Sequence, residues 1–349
     1  MKDILLPLYL KYRFLQYDSK NPVKMGFFKK IWAFRYGFFR KNYILYNLET
    51  NDHRNYISDF QENFKASRIN GFNGLINNKV LFTETVNNIV EMPEILGIIE
   101  DGRFIKYGRS PLNGYRDLIK FIHSEVGIIL KPIDGDGGLD IYKIDPGEKS
   151  SQVILAGKTL KNEMLELSLK DVKFSFISPL INQHSYSSGL YPNSINTIRI
   201  ILFKDVQTDK FFIGDAAHRI GNDKSKPVDN CGKGGFTASI DLETGILGKA
   251  VRTYFEGEKP IWYTKHPDTG GQIEGVKVPE WEMIKRKALE LSEHYSFMEY
   301  IGWDIVLQPN NQITLFEAND ACDLKLHQVH KPLLSNERIK KFYERHNVV

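Results

Sequence analysis

Asp304, Glu317 and Asn319 lie in one stretch, GWDIVLQPNNQITLFEAND (residues 302–320), and offer the hard oxygen donors that a small divalent cation prefers. Two short apolar runs, WDIVL and ITLFEAN, flank a polar turn, the pattern of a β-hairpin. With Asn310 and Asn311 as a two-residue turn, where Asn tolerates positive φ, pairing runs from Pro309 to Gln312 and Asp304 falls opposite Glu317. Alternation along a strand puts Glu317 and Asn319 on the same face. Two carboxylates and a carboxamide on one platform suit Mg²⁺, which takes few protein ligands and completes its shell with water and phosphate oxygens. The stretch also reads as an ordinary amphipathic hairpin with a polar face.

Further upstream, EVGIILKPIDGDGGLDIYKI sets Lys131 at the end of a buried-type strand, VGIILK, ahead of Gly135, Gly137 and Gly138 and a second strand, LDIYKI. This is not the order of a P-loop, where the glycines lead into a helix and the lysine follows them. Glycines here would let backbone amides approach phosphate oxygens unobstructed by Cβ, with the lysine as a point charge. A loop that is glycine-rich for conformational reasons alone is the alternative. In SINTIRIILF, Thr197, Arg199 and Ile201 share a face; in FFIGDAAHRIG, Asp215, Ala217 and Arg219 do. An arginine on an apolar strand needs an anion, or its burial is costly. That anion is either a structural carboxylate or a phosphate or acyl-phosphate, which a guanidinium grips bidentately. No Ser/His/Asp or Cys/His constellation of nucleophilic type is evident, and His184, His218 and His266 stand singly rather than as a zinc set.

The elements that must position these residues follow from local pattern. Helices are expected over 79–89 and 114–123, with a short strand near 95–99 and a DG turn between them. QVILAG reads as a strand and KTLKNEMLELSLK as a helix after it. FSFISPLI is a strand or inter-lobe link whose backbone could meet an adenine edge. DKSKPVDNCGKGGF is a polar glycine-rich loop, and ASIDLETGIL a hairpin turning at ETG. HPDTGGQIEGVKVPEW is a long loop whose turn residues, Pro267, Gly270, Gly271, Gly275 and Pro279, favour an ordered lid or substrate loop. WEMIKRKALELSEHYSF is an amphipathic helix, and a charged helix ends the chain.

At 349 residues, with 42% hydrophobic and 26% charged, the chain suits two or three packed subdomains of an ordinary globular protein. A net charge of +4 is too weak to argue for nucleic acid. Cys231 and Cys322 are far apart and lack metal-ligand spacing, which fits a reduced, cytoplasmic setting. No apolar run reaches membrane-spanning length, and the N-terminus lacks a signal-peptide pattern. KMGFFKKIWAFRYGFFRKNYILYN interleaves aromatics with Lys and Arg. Such a helix could rest peripherally on an anionic membrane, grip RNA, or pack on the body with its basic face in water.

The order of these parts, Lys before a glycine hairpin, a strand link, arginine strands, a GG loop, then D…E-x-N, resembles the ATP-grasp fold. SINTIRI, HRIG…VDN…GGF, HPDTG…G..VP.W and GWDI…FEAND, spread over residues 75–325, are similar to the sugar-transfer-associated ATP-grasp family. The resemblance implies an α+β (α/β) fold: two α+β subdomains clasping ATP (73–178 and 179–349), with a helical extension at 1–72. It implies an enzyme using ATP and Mg²⁺, with Lys131 on the ATP phosphates under Gly135, Gly137 and Gly138, and the link at Ile181 and Gln183 on the nucleotide. The acidic residue usual in that link is not evident, and Gln183 stands in for it. By the same likeness, Arg199 and Arg219 stabilise the transferring phosphoryl group, and Asn230, Gly234 and Gly235 approach phosphate or acceptor. His266 and Asp268 line the acceptor pocket, and Asp304, Glu317 and Asn319 hold Mg²⁺. The implied activity is carboxylate–amine ligation through an acyl-phosphate, joining an amino acid or similar amine to a sugar acid for cell-surface polysaccharide. A kinase acting on a sugar hydroxyl and a non-catalytic membrane- or RNA-binding module are the alternatives.

Overall fold

Gly37 divides the aromatic, basic stretch near the N-terminus. In the computed structural model of the chain, α1 (Lys2–Ser19) is followed by α2 (Phe27–Tyr36), which ends on Gly37 at φ 77°, and by α3 (Arg40–Leu45). A left-handed residue ends a helix, and glycine adopts that conformation without a Cβ penalty. The single helix expected from the interleaved pattern is therefore two. The structure describes residues 2–20, 23–71, 74–86, 88–125, 127–135, 138–255 and 259–349, with side chains from residue 9 onward.

The chain divides into two compact units. One comprises Met1–Phe72, Tyr186–Asp304 and Ala318–Val349; the other comprises Asn73–Ser185 and Ile305–Glu317. The N-terminal residues thus cluster with the C-terminal ones rather than standing apart, for a reason visible in the packing. Ala33, Phe38, Tyr43 and Tyr46 share a core with Val251, Phe255 and Val329. Ile57 and Ala66 join Phe203, Leu333 and Phe342 in another. A Ser58/Gln61 capping box starts α4 (Asp59–Phe64) within this region.

The second unit is built on a seven-stranded antiparallel sheet, β1 (Gly97–Glu100), β2 (Arg103–Ile105), β3 (Ile128–Pro132), β4 (Tyr142–Pro146), β5 (Gln152–Leu155), β6 (Lys158–Lys161) and β7 (Ser175–Pro179), ordered 2-1-7-3-4-5-6. β3 and β4 form the expected hairpin around the glycine loop, Ile128 opposite Ile144. KTLK is a strand and not the start of a helix. Ala156 and Gly157 take φ 48° and 82°, turning β5 back onto β6, and only Leu165–Ser168 is α-helical beyond it. The helix expected over 79–89 stops at Val86. Leu118, Ile122, Ile128, Leu130, Ile144 and Ile177 fill the core beneath the sheet.

The other sheet contains β8 (Ile198–Lys204), β9 (Phe211–Ile220), β10 (Phe236–Ile240), β11 (Leu247–Val251), β12 (Trp262–Tyr263), β13 (Tyr300–Leu307) and β14 (Ile313–Asn319), ordered 12-11-10-9-8-13-14. The chain passes from one unit to the other within β13, after Asp304, and returns within β14, after Glu317. Asn310 and Asn311, at φ 64° and 63°, lie in the turn between these strands. The turn is one residue longer than the expected two: the Gln308 N–H, and not a Pro309 pairing, closes onto the Gln312 carbonyl at 2.8 Å, because proline has no N–H to give. The amphipathic helix Trp281–His294 buries Trp281, Ile284, Ala288 and Leu291 along one stripe.

Candidate functional site

Within the first unit the two strand arginines converge on one carboxylate. Arg199 lies opposite Ala217 in the β8–β9 register, and the Arg219 N–H donates to the Thr197 carbonyl at 2.7 Å, which fixes both side chains on one face. Arg199 forks onto Asp304, Nε to Oδ1 and Nη2 to Oδ2, the latter at 2.7 Å. Arg219 bridges, with Nη1 2.5 Å from Asp304 Oδ2 and Nη2 3.0 Å from Asp229 Oδ1. Asp229 is held in turn by the Thr197 N–H at 2.8 Å and its hydroxyl at 2.5 Å. Asp304 has no exposed surface. Burial pushes its carboxyl up, but Arg199 and Arg219 outweigh that and hold it below the ordinary carboxylate value.

This cluster bears on two readings of the sequence. The arginines are answered by carboxylates of the chain itself, the structural member of the pair of partners the sequence left open. Arg219 Nε is buried and has no hydrogen-bond partner among the described residues. And Asp304 fits poorly as a Mg²⁺ ligand: both its oxygens serve guanidinium groups, and a buried carboxylate facing two cations is a poor seat for a third. Glu317 and Asn319 remain as hard donors, two residues apart on β14 and both partly exposed. The Asn319 carboxamide reaches the Gly302 carbonyl at 3.5 Å. Among the described residues, no trio of His, Cys, Asp or Glu side chains is arranged to hold a metal.

The glycine-rich loop after β9 folds on itself. Asn230 Oδ1 accepts the Gly232 N–H at 2.6 Å and caps the short helix Cys231–Lys233, so the oxygen expected to face phosphate or acceptor is engaged within its own loop. Gly234 adopts φ 104° and its carbonyl accepts from the Asn222 side chain at 2.6 Å. At Gly235 a Cβ would come within 2.7 Å of the Asp229 carbonyl oxygen, so this loop shape admits only glycine there. His266 does not line a pocket: it is 1% exposed, Nε2 bonds the Gly221 carbonyl at 2.8 Å, and Nδ1 accepts the Asp268 N–H at 3.2 Å. With both nitrogens used and Tyr191 stacked on its ring at 5.0 Å, it organises the long loop and has nothing left for an acceptor. Asp268 is exposed and accepts the Asp223 N–H at 3.0 Å.

In the second unit Lys131 is the next-to-last residue of β3, 6% exposed, its ammonium 3.5 Å from the centroid of Phe316. Gly135 takes φ 128° and Gly138 φ 67°; Gly137 lies outside the described residues. Ile181 and Gln183 follow β7 in irregular backbone, half-buried, and the adjoining His184 N–H donates to the Leu307 carbonyl at 2.8 Å. Lys79 was not singled out by sequence, yet it ties two expected parts together: its ammonium is 2.5 Å from the Gly135 carbonyl and 3.5 Å from Glu317. A lone lysine opening a helix carries no local signal of that role. Asp229 was likewise missed, although its place in VDN beside Asn230 offered a hint.

Lys131→Met keeps the stem against Phe316 and removes the charge. The expected result is ATP binding weaker by about 10- to 100-fold, the equivalent of the ~1.5–3 kcal/mol of a charged hydrogen bond, with an unchanged melting temperature. Calorimetric titration with wild-type affinity contradicts the phosphate role.

A second ionic cluster was invisible in sequence because its members are scattered along the chain. Lys325 Nζ lies 2.5 Å from the Tyr254 hydroxyl and 3.2 Å from Asp323, and Glu62 Oε1 accepts the Leu324 N–H at 2.8 Å. Burial, with Asp323 adding like charge and Lys325 opposing it, pushes the Glu62 carboxyl up to about 8. A raised carboxyl contributes stability that is complete below its unfolded value of 4.5 and lost as pH rises through about 8. Glu62→Gln, which keeps an acceptor for the Leu324 N–H, is therefore expected to raise the melting temperature at pH 8 and flatten the decline between pH 5 and 9. Parallel wild-type and variant curves across that range count against the shift.

A family model of sugar-transfer-associated ATP-grasp proteins matches residues 60–342. No curated protein matches the sequence. Similar solved structures include D-alanyl-alanine synthetase A from Vibrio cholerae O1 (10% identity, 78% of this chain and 64% of that one, TM-score 0.46). Others are N5-carboxyaminoimidazole synthetase from Staphylococcus aureus complexed with ADP (9% identity, 76% and 51%, TM-score 0.39) and a D-Ala:D-Ser ligase from Enterococcus faecalis (10% identity, 77% and 62%, TM-score 0.39). The chain spans between 51% and 64% of the length of these three structures.

Proposed function

Because the chain belongs to the sugar-transfer-associated ATP-grasp family and has its α+β fold, we propose that it is an ATP- and Mg²⁺-dependent carboxylate–amine ligase. The carboxylate oxygen of the acceptor attacks the γ-phosphorus of ATP, the bond to the bridging oxygen breaks, and ADP leaves. The amine nitrogen then attacks the carbonyl carbon of the acyl-phosphate, inorganic phosphate departs with the bonding pair, and the nitrogen loses a proton to form the amide. The proposed substrates are a small or sugar-linked acid and an amino acid or similar amine, for cell-surface polysaccharide.

The observation that carries this reading is the family match, which spans the residues of each role. Lys131, at a strand end beside Gly135, supplies positive charge for the ATP phosphates, and the Ile181–Gln183 backbone meets the base. Arg219 Nε, aimed by Asp304 and Asp229, donates to the transferring phosphoryl group, and Arg199 holds Asp304 in register. Glu317 and Asn319 hold the Mg²⁺, which when bound neutralises phosphate charge. Asp268 and the Gly234–Gly235 turn are the loop positions closest in character to an acceptor contact.

The test is ADP release by the full chain across a panel of sugar acids crossed with amines, with hydroxylamine present in a parallel series. A hydroxamate formed from the acid alone reports an activated acyl group. ADP release with a phosphorylated hydroxyl and no hydroxamate overturns the ligase in favour of a kinase.

A further inference from the structure

The positive charge of this chain is concentrated at one end. Residues 1–48 contain ten Lys or Arg and two Asp, a surplus of eight, whereas the chain as a whole carries +4. The same 48 residues contain 13 of the 43 aromatic side chains. The family match begins at residue 60, after these residues.

α2 splits these residues between two faces. Ala33 is fully buried, and Trp32 packs edge-on against Tyr43 at 5.3 Å and His53 at 5.0 Å, so the inner face is fixed to the body. On the outer face Phe27 is 71% exposed, Phe28 85%, Ile31 49% and Phe34 38%. Phe27, Ile31 and Phe34 follow one another at i, i+4 and i+7, so they form one ridge. Lys30 and Arg35 are exposed beside it, and Lys29 pairs with Glu49 at the surface. Two adjacent phenylalanines at the start of a docked helix, both mostly in water, are costly unless something apolar receives them.

We propose that α2 is an interfacial anchor that seats the protein on an anionic phospholipid surface. The rings enter the headgroup–acyl boundary, and the surrounding Lys and Arg meet lipid phosphates and anionic headgroups. The charge surplus selects an anionic partner, and the protruding rings select one with an apolar interior; a lipid surface offers both. At 10 residues α2 is too short to cross a bilayer, and no described helix is long and apolar enough to do so. The anchor stands independently of the chemistry proposed above.

The test is flotation of the full chain with vesicles of phosphatidylcholine alone and of phosphatidylcholine mixed with phosphatidylglycerol. The variants are Phe27→Ser with Phe28→Ser, and Lys30→Glu with Arg35→Glu. These side chains are exposed, so circular dichroism and melting are expected to match wild type. The expected result is binding to the anionic vesicles only, weakened by salt and reduced at least about tenfold by either pair of substitutions. Absence of binding to anionic vesicles, equal binding to both compositions, or wild-type binding by the Phe variant overturns the proposal. So does a single-stranded RNA that displaces the protein from vesicles, which makes the surface a nucleic-acid platform instead.

Discussion

Asp304→Ala is expected to destabilise the protein strongly, not simply to silence it. The substitution leaves Arg199 and Arg219 buried against each other with a single carboxylate, Asp229, near the second. Breaking a buried ion pair by removing one partner costs about 3–5 kcal/mol, because the surviving charge stays desolvated without compensation. Against a typical total of about 5–15 kcal/mol, that is a large share of the stability. Urea denaturation measures it directly, and a midpoint equal to wild type would remove the cluster from the structural account. Asp304→Asn separates shape from charge. It keeps the volume and one acceptor oxygen, so a smaller loss of stability is expected. The acid limb provides a further check. Because the Asp304 carboxyl is held below its ordinary value, the stability it contributes is present above pH 3.8 and is lost as pH falls through the lower folded value. The asparagine variant lacks that titration, so its acid limb is expected to be shallower.

Glu317→Ala is expected to do the reverse, stopping turnover while sparing the fold. The Glu317 side chain keeps 30% of its surface exposed and faces Lys79 at 3.5 Å, a pair of the kind that contributes about 0–1 kcal/mol. Losing one ligand that positions the phosphates for transfer is expected to lower kcat by about 10²–10³-fold or more. Apparent Mg²⁺-ATP affinity should fall as well. Lys79→Met is the control: it removes the ion pair and keeps the carboxylate, so activity should survive if Glu317 acts on the metal rather than through Lys79. Full activity in Glu317→Ala would eliminate the proposed metal role, and unfolding would show Glu317 to be structural.

These two acidic residues mark the division between local and tertiary information. Short-range rules read the β3–β4 hairpin around its glycines, the Asn310–Asn311 turn, the ETG hairpin, the stripe of Trp281–His294 and the shared face of Arg199 and Arg219. Each depends on alternation, helical period or the φ a residue tolerates, all of which are local to a few neighbours. The same rules failed where a neighbour competed: Gly37 ended a helix that its aromatic pattern would have continued, and Ala156–Gly157 turned KTLK into a strand.

Which partner each charge takes was decided only by the tertiary structure. Asp304 and Glu317 look alike in sequence, each an acid in an apolar run. Packing buries the first between two guanidinium groups and leaves the second at the surface beside a lysine. His266 looked available and proved enclosed, and Glu62 joins Asp323 and Lys325 across most of the chain's length. Desolvation sets the strength of every one of these pairings, and it depends on which distant segments cover a side chain. The residue types and their local order therefore determined which charged and polar groups the strands and loops carry. Long-range packing determined which of them keep free valence for a ligand and which are consumed in holding the site together.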